Sequence, residues 1–375
     1  MNKLGLYIHI PFCRSKCLYC DFPSYPCMEE YMVPYVKALC LEIEEVAKNK
    51  EFSSAFIGGG TPSYLSVEAL QILSRTLKKV KRTSDFEFTI ECNPNSFDEE
   101  KLKIFKDMGV NRLSIGLQAC QNRLLKKLGR IHSLEDFTCG FKLARELGFE
   151  NINVDLMFGI PDQSVEDFKE TLKYIAHLKP EHISAYSLIV EEGTPYYKMN
   201  EQGKLKLPGE EAERQMYVLA RDFLKESGYN QYEISNFTIK GKECRHNLIY
   251  WELNDYIGCG ASAHSYFRGL RYRNEDNVRE YIKKKLNYES VVVEKHLNSL
   301  KDNMEEFMFL GLRKTKGVSI EEFKRRFNVN MDDVYGNVIK KYTDDKMLIF
   351  HENRLFLSEY GIQVSNSIMC DFILQ

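Results

Sequence analysis

The stretch CRSKCLYCDF, residues 13–22, places three cysteines within eight residues and offers no fourth at a matching interval. It follows GLYIHIPF (5–12), whose β-branched and aromatic content predicts a strand, and precedes the helical pattern YMVPYVKALCLEIEEVAKN (31–49). Soft thiolates spaced C-x3-C-x2-C in a loop can wrap one corner of an iron-sulfur cube, each on its own iron, leaving the fourth iron without a protein ligand. Ferredoxin runs supply four cysteines and structural zinc sites close with four ligands, so neither template fits. Cys27 is the nearest further thiol, but the Pro-Ser-Tyr-Pro segment before it predicts an extended chain leading away.

Outward from this loop, similar apolar runs recur: SAFIGGG (54–60), FEFTIECNP (86–94), RLSIGLQAC (112–120), INVDLMFGIP (152–161) and HISAYSLIV (182–190). With the first run they predict parallel strands buried on both faces. The segments 66–80, 98–109, 133–148 and 164–178 carry apolar spacings of three and four, and Ser133-x-x-Asp136 and Ser164-x-x-Asp167 predict capped helix starts. This βα alternation fits a barrel or an open doubly wound sheet, and in both ligands collect at the carboxyl ends of the strands. Gly58 to Thr61, Glu91, Asn93, Gln118 and Asp155 stand there.

The pattern changes after EEGTP (191–195). A helix near 209–227 leads to YNQYEISNF (229–237) and to the aromatic, glycine-rich CRHNLIYWELNDYIGCGASAHSYF (244–267), where GCGASAHS reads as a tight turn. From about 298 the chain is helical again and ends on a hairpin-like MLIFHENRLFLS (347–358). The expected units are an α/β barrel over 1–200, a linking region over 201–297, and a C-terminal helical, winged-helix-like unit over 298–375.

Composition is that of a globular protein, 43% hydrophobic and 28% charged over 375 residues. A net charge of -2 gives no ground for attraction to nucleic acid or to an anionic membrane, and neither is expected as a partner. No stretch approaches the roughly 18 apolar residues of a membrane span, and no secretory signal is evident, so a cytoplasmic location is expected. The eleven cysteines are odd in number and mostly scattered, which predicts reduced thiols.

At its cysteine loop the chain resembles the radical S-adenosylmethionine (radical SAM) superfamily. The resemblance implies a partial (β/α)6 barrel whose open iron is chelated by the amino and carboxylate groups of S-adenosylmethionine. An electron from the 4Fe-4S cluster can then cleave the sulfonium and release a 5′-deoxyadenosyl radical. GGGTP (58–62) offers backbone free of side chains for close approach. Glu91 can accept from an ammonium, Arg130 can pair with a carboxylate, and Gln118 and Asp155 can bind ribose hydroxyls.

YIHIPFCRSKCLYCDF, GGGTPSYL, ECNP, LSIGLQAC, LGRIH and VDLMFGIPDQ together are similar to the oxygen-independent coproporphyrinogen III oxidase family and its HemW relatives. That match implies Cys13, Cys17 and Cys20 as cluster ligands, with Tyr7, Tyr19, Gly60, Thr61, Glu91, Gln118, Arg130 and Asp155 around S-adenosylmethionine. Two departures weigh against the oxidases. They carry a further cysteine two places after the third, where this chain has Phe22, and they carry an N-terminal extension, whereas here the first strand begins near residue 5.

HNLIYW, His246 to Trp251, holds the only tryptophan and resembles the HNxxYW heme-binding signature of HemW-type heme chaperones. A neutral imidazole is a common axial ligand of heme iron, and Tyr250 and Trp251 offer flat apolar area with polar tips. His246, Asn247, Tyr250 and Trp251 are therefore the candidate heme residues, with Cys244 a candidate thiolate beside the heme. The spacing of Cys244, Cys259 and His264 matches no closed zinc set.

The expectation is a heme carrier with a 4Fe-4S cluster and S-adenosylmethionine that passes heme to an acceptor protein. The alternatives are an oxygen-independent coproporphyrinogen III oxidase, acting by radical oxidative decarboxylation, and radical chemistry on another substrate. The acceptor, the electron donor, covalent attachment of heme, and the oligomeric state, a homodimer included, are not legible in the sequence.

Overall fold

The computed structural model describes residues 3–374. The six apolar runs become strands β1 (Gly5–Ile10), β2 (Glu51–Gly59), β3 (Lys81–Cys92), β4 (Arg112–Gln118), β5 (Ile152–Phe158) and β6 (His182–Ser187). Between them lie α1 (Met32–Ala47), α2 (Val67–Leu77), α3 (Glu99–Met108), the short α4 (Asn122–Lys127), α5 (Leu134–Glu146) and α6 (Val165–Leu178). Ser133 and Ser164 each close a reciprocal capping box with the aspartate three residues on, as their spacing predicts.

Each strand from β1 to β6 pairs in parallel with the next. β1 and β6 do not pair with each other, so the barrel is an open arc. Leu6, Ile8, Ala55, Ile57, Phe88, Ile90, Leu113, Ile115, Val154 and Leu156 face the helices and form the main core. The opposite face is buried too, as expected, but it is polar. Ser54, Glu87, Thr89, Arg112, Ser114, Asn153 and His182 are all buried there. Hydrogen bonds across strands satisfy them, as in His182 Nδ1 to Asn153 Oδ1 at 2.6 Å and Asn153 Nδ2 to Ser114 Oγ at 2.7 Å.

Beyond β6 come α7 (Pro195–Glu201), α8 (Glu210–Glu226), β7 (Asn230–Glu233), β8 (Asn236–Thr238), α9 (Arg245–Trp251), β9 (Tyr256–Cys259), β10 (His264–Phe267), β11 (Leu270–Asn274), α10 (Val278–Leu286) and β12 (Val292–Leu297). These residues build both flanks of one twelve-stranded sheet: β8 and β7 extend the β6 edge, while β9 to β12 extend the β1 edge. The glycine turn after β9 is fastened to α1 by Glu42, whose buried carboxyl accepts from Gly260 N at 2.8 Å, Asn274 Nδ2 at 2.7 Å and Tyr281 OH at 2.6 Å.

The last segment runs α11 (Leu300–Gly311), β13 (Val318–Ser319), α12 (Ile320–Phe327), α13 (Met331–Asp344), β14 (Leu348–His351), β15 (Arg354–Leu357), α14 (Glu359–Gln363) and α15 (Ser365–Cys370). The expected hairpin is β14 and β15, joined by β13 into a three-stranded sheet. Its core of Phe307, Phe323, Tyr335 and Phe372 also takes in Leu253 and Tyr266 from the preceding region. Arg271 on β11 makes a two-pronged contact with Glu306 on α11, both distances 2.6 Å. No helix of the described residues is long and apolar enough to cross a membrane.

Candidate functional site

The loop after β1 is tied down from inside the barrel. His9 Nε2 lies 2.8 Å from the Pro23 carbonyl and Nδ1 lies 3.0 Å from the Tyr7 hydroxyl. A carbonyl only accepts, so Nε2 carries the proton and Nδ1 accepts from Tyr7. Burial holds the imidazole neutral, its pKa lowered to about 4. On the far side, Leu18 N donates to Leu128 O at 3.0 Å.

Cys13, Cys17 and Cys20 are unpaired and share one cavity of about 390 Å³ at the carboxyl ends of the strands. Cys13 Sγ lies 3.4 Å from Thr61 Oγ1 and Cys20 Sγ 4.0 Å from Ser24 Oγ. Burial pushes both thiols up, so a soft cation must supply the energy that takes their protons. Cys27 is exposed and outside the lining. Among the described residues no three His, Cys, Asp or Glu side chains converge as a single-ion site.

Tyr19, Gly60, Thr61, Glu91, Gln118, Arg130 and Asp155 line the same cavity. Tyr7 does not; it sits one layer deeper, holding His9. Arg130 donates to Asn93 Oδ1 at 2.6 Å and to the Tyr19 hydroxyl at 2.9 Å, yet among the described residues its buried Nε has no partner. Among the described residues Glu91 accepts only from Gly59 N, at 3.1 Å, and burial, reinforced by Asp155, pushes its carboxyl up to about 8. Asp155 accepts from Asn153 at 2.7 Å and Ser114 at 3.2 Å, and burial raises its carboxyl as well. A Cβ on Gly60 would stand 2.8 Å from Phe12 O and 3.0 Å from Cys13 Sγ, so the glycine leaves backbone bare beside the thiols. Three free thiols, an unsatisfied buried guanidinium and a carboxyl short of donors fit a cluster with S-adenosylmethionine.

Asn93, placed at the strand ends by the sequence, bridges Thr61 and Arg130, while two contributors were not singled out from sequence: Tyr186, whose hydroxyl donates to Gln118 Oε1 at 3.0 Å, and His9. Strand parity was the available signal, since His9 shares a face with Tyr7 and Tyr186 with Ser184. Tyr186 also lines a separate cleft of about 430 Å³, walled by Phe158, Ile189, Tyr217 and Ile362 with Arg214 and Arg313.

The HNLIYW residues lie at the other end of the barrel. Ser54 stands four residues before Gly58 on β2, about 13 Å along the strand. His246 is 1% exposed, with Nδ1 2.8 Å from Ser54 Oγ and Nε2 2.8 Å from the Tyr250 hydroxyl. Its ring stacks on Phe56 at 5.3 Å, and burial, then Arg112, lowers its pKa to about 3. Trp251 turns instead towards the C-terminal segment, under the Arg313 guanidinium at 4.5 Å, with its buried Nε1 unpartnered among the described residues. Asn247 shares neither of the two histidine contacts. The four residues form no single cup, and in this conformation they do not fit a heme. Cys244 is buried, its thiol pushed up to about 12 by that burial, and it faces Glu87 Oε1 at 3.6 Å.

An open parallel arc with a three-cysteine loop at its strand ends defines a radical SAM fold, and the Radical SAM superfamily model matches residues 7–175. The HemN C-terminal domain model matches 298–364. The solved coproporphyrinogen III oxidase (HemN) from Escherichia coli shares the fold, with a TM-score of 0.86 over 99% of this chain and 90% of that one at 22% identity. Heme chaperone HemW of Bacillus subtilis (strain 168) is 40% identical over 98% of both chains, and heme chaperone HemW of Lactococcus lactis subsp. lactis (strain IL1403) is 36% identical over 98% of this chain and 97% of its own. The chain belongs to the HemW family.

Proposed function

We propose that this protein carries heme to an acceptor protein and holds a 4Fe-4S cluster with S-adenosylmethionine at the carboxyl ends of its barrel strands, in the cytoplasm. The observation that carries the reading is whole-length similarity to relatives named heme chaperones, 40% identical over 98% of both chains. The likeness to the oxidase, at 22% identity, speaks for the fold alone.

Cys13, Cys17 and Cys20 would hold three irons, and S-adenosylmethionine on the fourth would supply a reducible sulfonium. Arg130, whose buried Nε has no partner among the described residues, would pair with the cofactor's carboxylate, and Glu91 would take its N–H donors and offset its charge. Gln118 and Asp155 are left for hydroxyl groups. Phe22 is 60% exposed at the loop's rim, where the oxidases place another cysteine, and its carbonyl accepts from Lys16 at 2.9 Å.

The test is an anaerobic comparison of two ligands on the reconstituted, reduced protein. Specific hemin binding with release to an apo-hemoprotein, and no conversion of coproporphyrinogen, is the expected result. Protoporphyrinogen formed with stoichiometric 5′-deoxyadenosine would establish the oxidase instead.

A further inference from the structure

The cofactor site makes no use of Glu87, a buried side chain on the same face of β3 as Glu91 and four residues nearer its amino end. Its two oxygens gather three donors from one segment. Oε1 accepts from His246 N at 3.1 Å and faces Cys244 Sγ at 3.6 Å, while Oε2 accepts from Arg245 N at 3.1 Å. Outside, the Arg245 guanidinium lies 2.7 Å from Asp85 Oδ2. The side chain of His246 is held as firmly: Ser54 and Tyr250 occupy both ring nitrogens, Phe56 covers one face, and a Cβ on Gly5 would stand 3.2 Å from Cε1. Neither a free nitrogen nor room for a macrocycle is left.

We propose that Glu87 is a clasp: it holds the HNxxYW segment as the floor of the barrel, and heme coordination by His246 requires that clasp to open and α9 to leave. This rests on the heme reading above. Coordination must break one ring hydrogen bond and strip α9 of its acceptor, so opening precedes ligation and limits its rate. Phe56 stacks on Tyr7 at 6.5 Å, and Tyr7 holds His9, which holds the cysteine loop. The closed floor is thus continuous with the underside of the cofactor site.

The experiment combines stopped-flow hemin association with amide hydrogen exchange of the full chain, read over 245–251. In the wild type the observed association rate should level off as hemin rises. Glu87→Gln keeps the side chain's size but loses an acceptor, and should raise that plateau about tenfold, the worth of one hydrogen bond. It should also speed exchange of the α9 amides before any hemin is added. Ser54→Ala should act in the same direction and decides the matter if Glu87→Gln fails to fold. In the heme complex the α9 amides should lose protection. Amides that stay protected while heme is bound would overturn the proposal and direct attention to the cleft at Tyr186. So would a Glu87→Gln protein with unchanged plateau and exchange. Absence of hemin binding in every variant would overturn the heme reading and the coupling with it, while exchange in apo Glu87→Gln would still report separately whether Glu87 holds α9.

Discussion

At the scale of single residues, Glu91 sets a pH dependence. An unfolded chain releases this proton near pH 4.5, whereas burial holds it in the folded protein to about 8. The folded state therefore binds the extra proton between those values. Its stabilising effect is complete below 4.5 and is lost as pH rises through 8. In apo protein, denaturant titrations of wild type and Glu91→Gln should diverge over that window, with the wild type losing more stability as pH rises. S-adenosylmethionine brings a positive sulfonium and N–H donors, which favour the ionised carboxyl. Its affinity should rise by up to about tenfold per pH unit between 6 and 8 and then flatten. Calorimetric titration checks this, and a flat profile in the wild type would remove Glu91 from the ligand set.

His9 invites a second substitution. Its imidazole joins Tyr7 to Pro23 beneath the thiols, the kind of outer support whose loss weakens metal affinity about 10- to 100-fold. His9→Ala should take up the cluster but surrender iron to a chelator at least about tenfold faster than wild type. Equal release rates would make His9 a packing residue only.

At the scale of elements, the site depends on β2 ending in bare backbone. Gly60→Ala would push a methyl group against Phe12 O and Cys13 Sγ, both within 3.0 Å. The expected outcome is a folded protein, destabilised by about 1–3 kcal/mol, that no longer retains cluster iron. Iron and sulfide content after reconstitution, measured beside a melting curve, separates that from global unfolding.

Elements with long, regular periods were legible. The six strand runs, five helices between them and both serine capping boxes stand where spacing predicts, because each buries a continuous apolar face under a helix or strand. Glu87 and Arg112, on the polar inner face, were not picked out, since a run such as FEFTIEC reads as apolar until a concave interior supplies partners. α9 was hidden for another reason. Seven residues are two turns, too few for a helical period, and what holds them is a carboxyl more than 150 residues earlier.

At the scale of the whole molecule, the middle region does more than connect. Leu253 and Tyr266 belong to the core of the last segment, and Arg271 grips Glu306 on α11. A chain ended at 297 would expose those apolar side chains and leave Arg271 without its partner. It should lose near-UV circular dichroism and aggregate while the full chain stays monodisperse; a soluble, natively packed 1–297 fragment would show the units to be independent. The cysteine loop and the residues gathered around it were the most legible part of the molecule, because C-x3-C-x2-C constrains chemistry within eight positions. The placement of HNLIYW was the least legible, since a local motif does not state which end of a barrel it will close.

The most direct test of the whole account is one anaerobic hemin titration of the reconstituted protein, followed by mixing with an apo-hemoprotein and reading the absorption of both. The account predicts saturable binding of one heme per chain and its transfer to the acceptor. Hemin that associates without saturation, or that never leaves for the acceptor, would contradict a carrier.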